Sequence, residues 1–276
     1  MRIVFIILMF IVGACFGSFF CCQARRLRIK ETKKATKKLP ARSVCLKCGY
    51  KLKWYDNIPI ISWLILKGKC RKCHKKIGIG EIVSEFSIGL AFSLLAIGAI
   101  LNGLTLESFF SESVITYFML AAFIILTLSL LFLAVYDGLY GELPVLYLTI
   151  SIICAIIIVI LNPLGIFSSS GFSWGYIADL IIATIILGGT YLVLYLISKG
   201  KWVGDGDWLL GVAIGLILGK PWLSLLTLFL SNLLACLVML PFTKGNNSKI
   251  PFGPFLIAAF IIVYSFAPMC DIINLW

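Results

Sequence analysis

Long apolar runs separated by short polar stretches set the pattern of this chain. The runs at 1–22, 82–101, 114–135, 145–162, 175–198, 208–219, 223–241 and 251–270 predict α-helices, and most approach the roughly 20 residues that span a hydrocarbon core. The run 208–219 is the exception: its length predicts about 18 Å of helix, well short of a span of about 30 Å. It is expected either to tilt with its flanks included or to form a half-helix shielded by neighbours. Gly211, Gly215 and Gly219 recur along it every fourth residue, a small-residue face on which another helix can pack closely. The pattern as a whole predicts an all-α polytopic membrane protein of about eight transmembrane helices. It is interrupted by one long polar insert, which divides the chain into a first transmembrane helix (1–22), a cytoplasmic insert (23–80) and a polytopic domain (81–276).

Composition agrees with this. The chain is 61% hydrophobic and 13% charged, with mean hydropathy +1.06, whereas soluble domains carry about 25% charge. Charge placement then orients the helices. Of 24 Lys and Arg, 18 fall between Arg25 and Lys76 against two acids, Glu31 and Asp56, a regional net charge of +16. Lys and Arg beside spans stay cytoplasmic, so the insert is expected inside the cell. Counting onward puts 136–144, 199–207 and 243–250 inside too, with Lys199, Lys201, Lys244 and Lys249; Arg2 and Lys220 fall outside. This rule explains the basic character without nucleic acid, and the expected partner of the charge is the lipid bilayer. Val12-Gly13-Ala14-Cys15 loosely resembles a lipoprotein cleavage box, but the apolar run continues beyond it, and a retained first span is expected.

The ten cysteines divide into two groups. Cys15, Cys21, Cys22, Cys154, Cys236 and Cys270 lie in or beside spans and read as small apolar filler. Cys45, Cys48, Cys70 and Cys73 form two C-x2-C pairs 21 residues apart in the insert. Two such knuckles complete a tetrahedron of thiolates suited to structural Zn²⁺. In a reducing compartment disulfides are not expected. His74 adjoins Cys73 and could substitute as a ligand, but reads first as a bystander on the knuckle. A small domain with little apolar core needs such a metal to fold.

Acidic residues beside spans are costly and mark function. Asp137 closes Val135-Tyr136-Asp137-Gly138, and Asp207 closes Gly204-Asp205-Gly206-Asp207, both on the predicted cytoplasmic side. Two carboxylates facing one another share a proton, one acting as general base and one as general acid, as in aspartic proteases. The pair predicts an intramembrane hydrolase.

These residues, taken in order, carry a resemblance to a known family. Gly17-Ser18-Phe19 with Arg26, the run Arg42-Ser43-Val44-Cys45 through Cys73 with Tyr55-Asp56-Asn57-Ile58-Pro59, and Glu85 come first. Asp137 six residues before Leu143-Pro144, the G-x-G-D at 204–207 and Pro251-Phe252-Gly253-Pro254-Phe255-Leu256 follow. Together they resemble the bacterial type IV prepilin peptidases, the leader peptidase/N-methyltransferase family, over nearly the whole chain. Cys21 stands where that family usually has Asn, and Val145 where an acid often follows Leu-Pro.

The resemblance implies a G-x-G-D membrane aspartyl protease that removes a short basic leader from prepilins and pseudopilins at the cytoplasmic side, between Gly and a residue that is usually Phe. It implies Asp137 and Asp207 as the catalytic pair, with Asp207 rather than its neighbour Asp205. Many members also methylate the new amine with S-adenosylmethionine, and members with the tetracysteine insert are those expected to do both. A peptidase using the insert only as a docking scaffold is one alternative. A proton- or cation-coupled transporter or assembly factor is another, but a transporter should carry an internal repeat, and the two aspartate motifs differ in sequence and spacing.

Overall fold

The computed structural model describes residues 2–32, 43–45, 47–101, 114–161, 174–200, 203–239 and 251–273, the last six without their side chains. Arg42, Lys201 and the predicted inner loop 243–250 with Lys244 and Lys249 lie outside them, as does the side chain of Cys270. The chain forms two compact units, residues 1–97 and 98–276.

In the first unit, α1 (Arg2–Glu31) is one helix of 30 residues, running beyond the apolar stretch that ends at 22. No proline or glycine interrupts Gln23–Glu31, so the backbone stays helical as the side chains turn basic. The insert follows, with a short 3-10 turn (Trp54–Asn57), the five-residue α2 (Ile61–Ile65) and two isolated antiparallel bridges, Val44 with Lys51 and Lys69 with Lys76. Then comes α3 (Ile79–Leu101). Helices α1 and α3 meet at backbone distance. A Cβ on Gly13 would lie 2.7 Å from the Ile88 carbonyl oxygen, and one on Gly17 would lie 2.7 Å from that of Ser84.

The second unit is a bundle of α4 (Val114–Tyr140), α5 (Val145–Leu161), α6 (Trp174–Ser198, with a π-helical segment at Ile185–Gly189), α7 (Asp207–Leu218), α8 (Pro221–Met239) and α9 (Gly253–Ile273). Among the described residues, five helices (α1, α3, α4, α6 and α8) are long and apolar enough to cross a membrane, and α5, α7 and α9 are shorter apolar helices. The protein is therefore a multi-pass, all-α membrane protein. The many exposed Ile, Leu and Phe side chains on these helices are what a lipid-facing surface requires.

The short α7 is a shielded half-helix. It packs against α5, α6, α8 and α9, and Leu210, Ala213 and Ile214 are almost wholly buried. Gly211 and Gly215 press on the backbone of α6 at Leu187–Gly188 and Ala183–Thr184, where a Cβ would lie 2.8 to 3.1 Å from the nearest atoms. The Gly211 contact falls on the π-helical segment, where the α6 backbone is widened, and the Gly215 contact lies just before it. Gly219 does something else: at φ +62 it ends α7 in the left-handed conformation. One polar contact links two of these helices directly: Ser129 Oγ and Ser151 Oγ join α4 to α5 at 2.7 Å.

Candidate active site

The loops expected around the two aspartates are helix ends. Nothing in Tyr136-Asp137-Gly138-Leu139-Tyr140 breaks α4 until Gly141, which turns left-handed at φ +67 and donates its N–H to the Asp137 carbonyl. Asp137 therefore sits in the last turn of α4, 5% exposed, and Asp207 is the first residue of α7, 4% exposed. Asp205 is exposed.

Each buried carboxylate is held by a glycine N–H. Asp137 Oδ2 accepts from Gly253 N at 2.9 Å, and Asp207 Oδ2 accepts from Gly204 N at 2.8 Å. Gly253 is the first residue of α9, so Asp137 also meets the positive end of that helix dipole. Asp207 closes the G-x-G-D turn on itself, its own N–H returning to the Gly204 carbonyl. The two carboxylates are near enough for the charge of Asp207 to act on Asp137. Among the described residues no donor meets Oδ1 of either, which leaves one oxygen on each for water or substrate.

The glycines are steric requirements. A Cβ on Gly253 would lie 2.8 Å from Asp137 Oδ2, and one on Gly206 would lie 2.8 Å from Leu143 Cβ. The Leu-Pro motif after Asp137 thus packs on the G-x-G-D turn. The Phe252-Gly253-Pro254 motif shows no such role in the sequence. Tyr191 is a further residue of the site: this fully buried side chain of α6 packs against Phe252, ring centroids 5.1 Å apart, and bonds Ser231 Oγ at 3.2 Å, steadying the segment that presents the Gly253 N–H. A single tyrosine in an apolar run offers no signal of this in the sequence.

Gly253→Ala is expected to slow any reaction that uses Asp137 by about a hundredfold, the usual effect of an ångström-scale misplacement. The check is the cleavage rate at equal membrane abundance, and a rate within about twofold of wild type would remove this contact from the positioning of Asp137.

In the first unit the four insert cysteines converge, with all Sγ atoms within 4.8 Å of one another. Cys45–Cys73 and Cys48–Cys70 are 3.9 and 4.0 Å apart, close to the S–S edge of about 3.8 Å in a tetrahedral thiolate site with bonds of about 2.3 Å. The two knuckles share one design. Cys45 N bonds the Tyr50 carbonyl and Cys70 N that of Lys75, while Gly49 N returns to Cys45 O and His74 N to Cys70 O. Gly49 and His74 therefore hold the same left-handed turn position, φ +70 and +53, and His74 belongs to the turn. Backbone N–H groups of Cys73 and Lys72 bring the Cys70 thiol down to about 7. The Cys48 thiol is pushed up to about 11: the Tyr50 N–H lowers it, and desolvation with the neighbouring sulfurs outweighs that. The donor set fits a metal ion.

Comparison with known proteins agrees with the motifs. Residues 11–99 match the family model of the bacterial peptidase A24 N-terminal domain. The chain is 31% identical over 226 residues to the prepilin leader peptidase/N-methyltransferase of Vibrio cholerae serotype O1, covering 81% of this chain and 80% of that protein. The chain belongs to the prepilin leader peptidase/N-methyltransferase family. The protein of the same name from Pseudomonas aeruginosa is 28% identical over 240 residues, 83% of this chain and 73% of the relative. In that of Myxococcus xanthus the similarity is 35% over 88 residues, 32% of this chain and 25% of the relative. No solved structure shows a significant match.

Proposed function

We propose that this protein is a membrane aspartyl endopeptidase of the bacterial inner membrane that cleaves the short basic leader from prepilins and pseudopilins, and that it then methylates the new N-terminal amine. The observation that carries the peptidase half is the pair Asp137 and Asp207. Both are buried, each is fixed by a glycine N–H, and each keeps one carboxylate oxygen without a donor among the described residues.

In the proposed reaction one carboxylate is ionised and takes a proton from water as the water oxygen attacks the scissile carbonyl carbon. The protonated partner donates to the carbonyl oxygen. On collapse the C–N bond breaks, the departing nitrogen takes a proton, and the products are a leader carboxylate and a free N-terminal amine. The basic insert and both aspartates face the cytoplasm by the positive-inside rule. A basic leader gains nothing from a +16 segment, so the substrate is recruited through its apolar stem, already in the bilayer. Residues 1–22, 23–80 and 81–276 act as first helix, zinc-held insert and peptidase domain.

Cys45, Cys48, Cys70 and Cys73 hold structural Zn²⁺, a closed site with no position open for catalysis. S-adenosylmethionine, when bound, supplies an activated methyl group. The chain's own task in that half is to hold the amine deprotonated and in line.

The deciding experiment incubates purified protein with a prepilin peptide, with and without S-adenosylmethionine, and reads products by mass spectrometry. Cleavage after Gly in both samples, and one added methyl mass only with the donor, is the expected result. Cleavage with no added mass would leave the peptidase alone, with the insert as a docking scaffold. An intact peptide in both would overturn the proposal.

A further inference from the structure

The first unit contains a cavity of about 710 Å³, within the range of small-molecule sites. Its wall runs from α1 through the insert to the first turns of α3 and includes Ser18, Cys22, Asn57 and Glu85. Three carboxylates border it, and two are already committed. Asp56 accepts from Arg71 Nε at 2.8 Å and from Lys53 N at 3.1 Å, and Glu81 pairs with Arg25.

Glu85 differs from both. It is 8% exposed, and its partners among the described residues are neutral: Ile60 N donates to Oε2 at 2.7 Å, and the Ser18 hydroxyl bonds the carboxylate. The charge that acts on it is Glu81, of the same sign, whose own partner is Arg25. A buried carboxylate without a cation is expensive and calls for a positive ligand.

The structure also strains its backbone to build this arrangement. Ile60 has φ +62 and ψ −54, and the Ile61 N–H bonds the Pro59 carbonyl, which makes Ile60 the centre of a γ-turn of the rare, strained hand. A β-branched residue is an outlier there. The turn aims the Ile60 N–H at Glu85. On the other side, Gly17 lets α1 approach until a Cβ would lie 2.7 Å from Glu85 Cα, which sets Ser18 beside the carboxylate. Strain of this kind collects at functional sites.

We propose that this cavity binds the methyl donor, S-adenosylmethionine, with the Glu85 carboxylate facing its positively charged sulfur. The proposal rests on the methyl-transfer half of the function above. A sulfonium cannot shed its charge by losing a proton, so a fixed anion beside it offsets the cost of burying it. The substrate amine, by contrast, must lose its proton before it reacts, and a fixed anion beside it would favour the unreactive ammonium form. Lys75 and Lys76, also in the cavity wall, suit the donor's carboxylate. Once the methyl group has left, the sulfur of the product is neutral. Glu85 then favours fresh donor over spent product, and the cavity reloads.

The test uses calorimetric titration of the purified zinc-loaded protein with S-adenosylmethionine and with S-adenosylhomocysteine. In Glu85→Gln the amide oxygen still accepts from Ile60, and zinc content reports whether the insert remains folded. Donor affinity is expected to fall about tenfold or more, and product affinity by less than about threefold, because only the donor carries charge at sulfur. Equal weakening of both, or no weakening of the donor, would overturn the assignment.

A second measurement needs no variant. The donor should slow alkylation of Cys22 by N-ethylmaleimide about tenfold, since occupancy near saturation blocks the cavity wall, with Cys236 of α8 as the reference thiol. Unchanged Cys22 labelling would place the donor elsewhere. A wild-type protein that methylates a pre-cleaved peptide yet shows neither effect would overturn the site and leave the methyltransferase intact. One that neither binds the donor nor methylates would overturn both.

Discussion

Asp137→Asn and Asp207→Asn are each expected to lower leader cleavage by about a thousandfold or more, the scale of losing a positioned general acid or base. Both proteins should accumulate in membranes. Asparagine is nearly isosteric, and its amide oxygen can still accept the Gly253 or Gly204 N–H that now reaches Oδ2. Folding is thereby separated from chemistry, because what each variant loses is the capacity to carry a proton. Asp205→Asn should keep most of the activity, since Asp205 is exposed while Asp207 is 4% exposed. The measurement is cleavage of a prepilin peptide at matched protein. Full activity in either of the first two variants would end the two-carboxylate mechanism, and activity lost only in the third would move the catalytic role to Asp205. Asp137→Asn should still methylate a pre-cleaved peptide beginning with Phe, because methyl transfer needs a held, deprotonated amine and no acid pair.

Changing Cys45, Cys48, Cys70 and Cys73 together to Ser is expected to remove about one zinc per molecule and to unfold the insert. The insert has almost nothing else to hold it. Among its described residues 43–78, only Asp56, Gly68 and Cys70 are buried, and its β-structure is two single bridges. Structural zinc in such modules contributes on the order of 10 kcal/mol, far more than this burial can supply. Methyl transfer should be lost. Cleavage should fall only as far as the protein becomes less abundant, since Asp137 and Asp207 are held by contacts within residues 98–276. Chelators should act slowly on the intact protein, because the metal is enclosed by four sulfurs. Elemental analysis finding no zinc in the wild type, or undiminished zinc in the variant, would exclude the site.

What the sequence determined by itself is what depends on short-range chemistry. Eight apolar runs identify eight helices because lipid forbids unpaired backbone, and five of them, among the described residues, reach the length that hydrocarbon thickness imposes. Two C-x2-C pairs announce their own knuckles because each thiol pair is set by a local turn. The cost of a carboxylate beside an apolar run drew attention to Asp137 and Asp207 before any geometry was known.

Tertiary structure decided the rest, through contacts between residues far apart in the chain. Gly253 reaches Asp137 across 116 positions, and a glycine beside a proline gives no hint that its N–H will hold a carboxylate. Asp137 stands on a helix end because Gly141, and not the charge at 137, stops α4. Whether Gly211 and Gly219 pack a helix or end one depends on what lies opposite: α6 faces the first, and nothing lies within 4 Å of a Cβ on the second. Glu85 meets Ile60 and Ser18 only because Gly17 brings two helices to backbone contact and a strained turn aims one N–H. Hydropathy and spacing record what each residue costs to bury, whereas its partner is chosen by the packing of the whole chain.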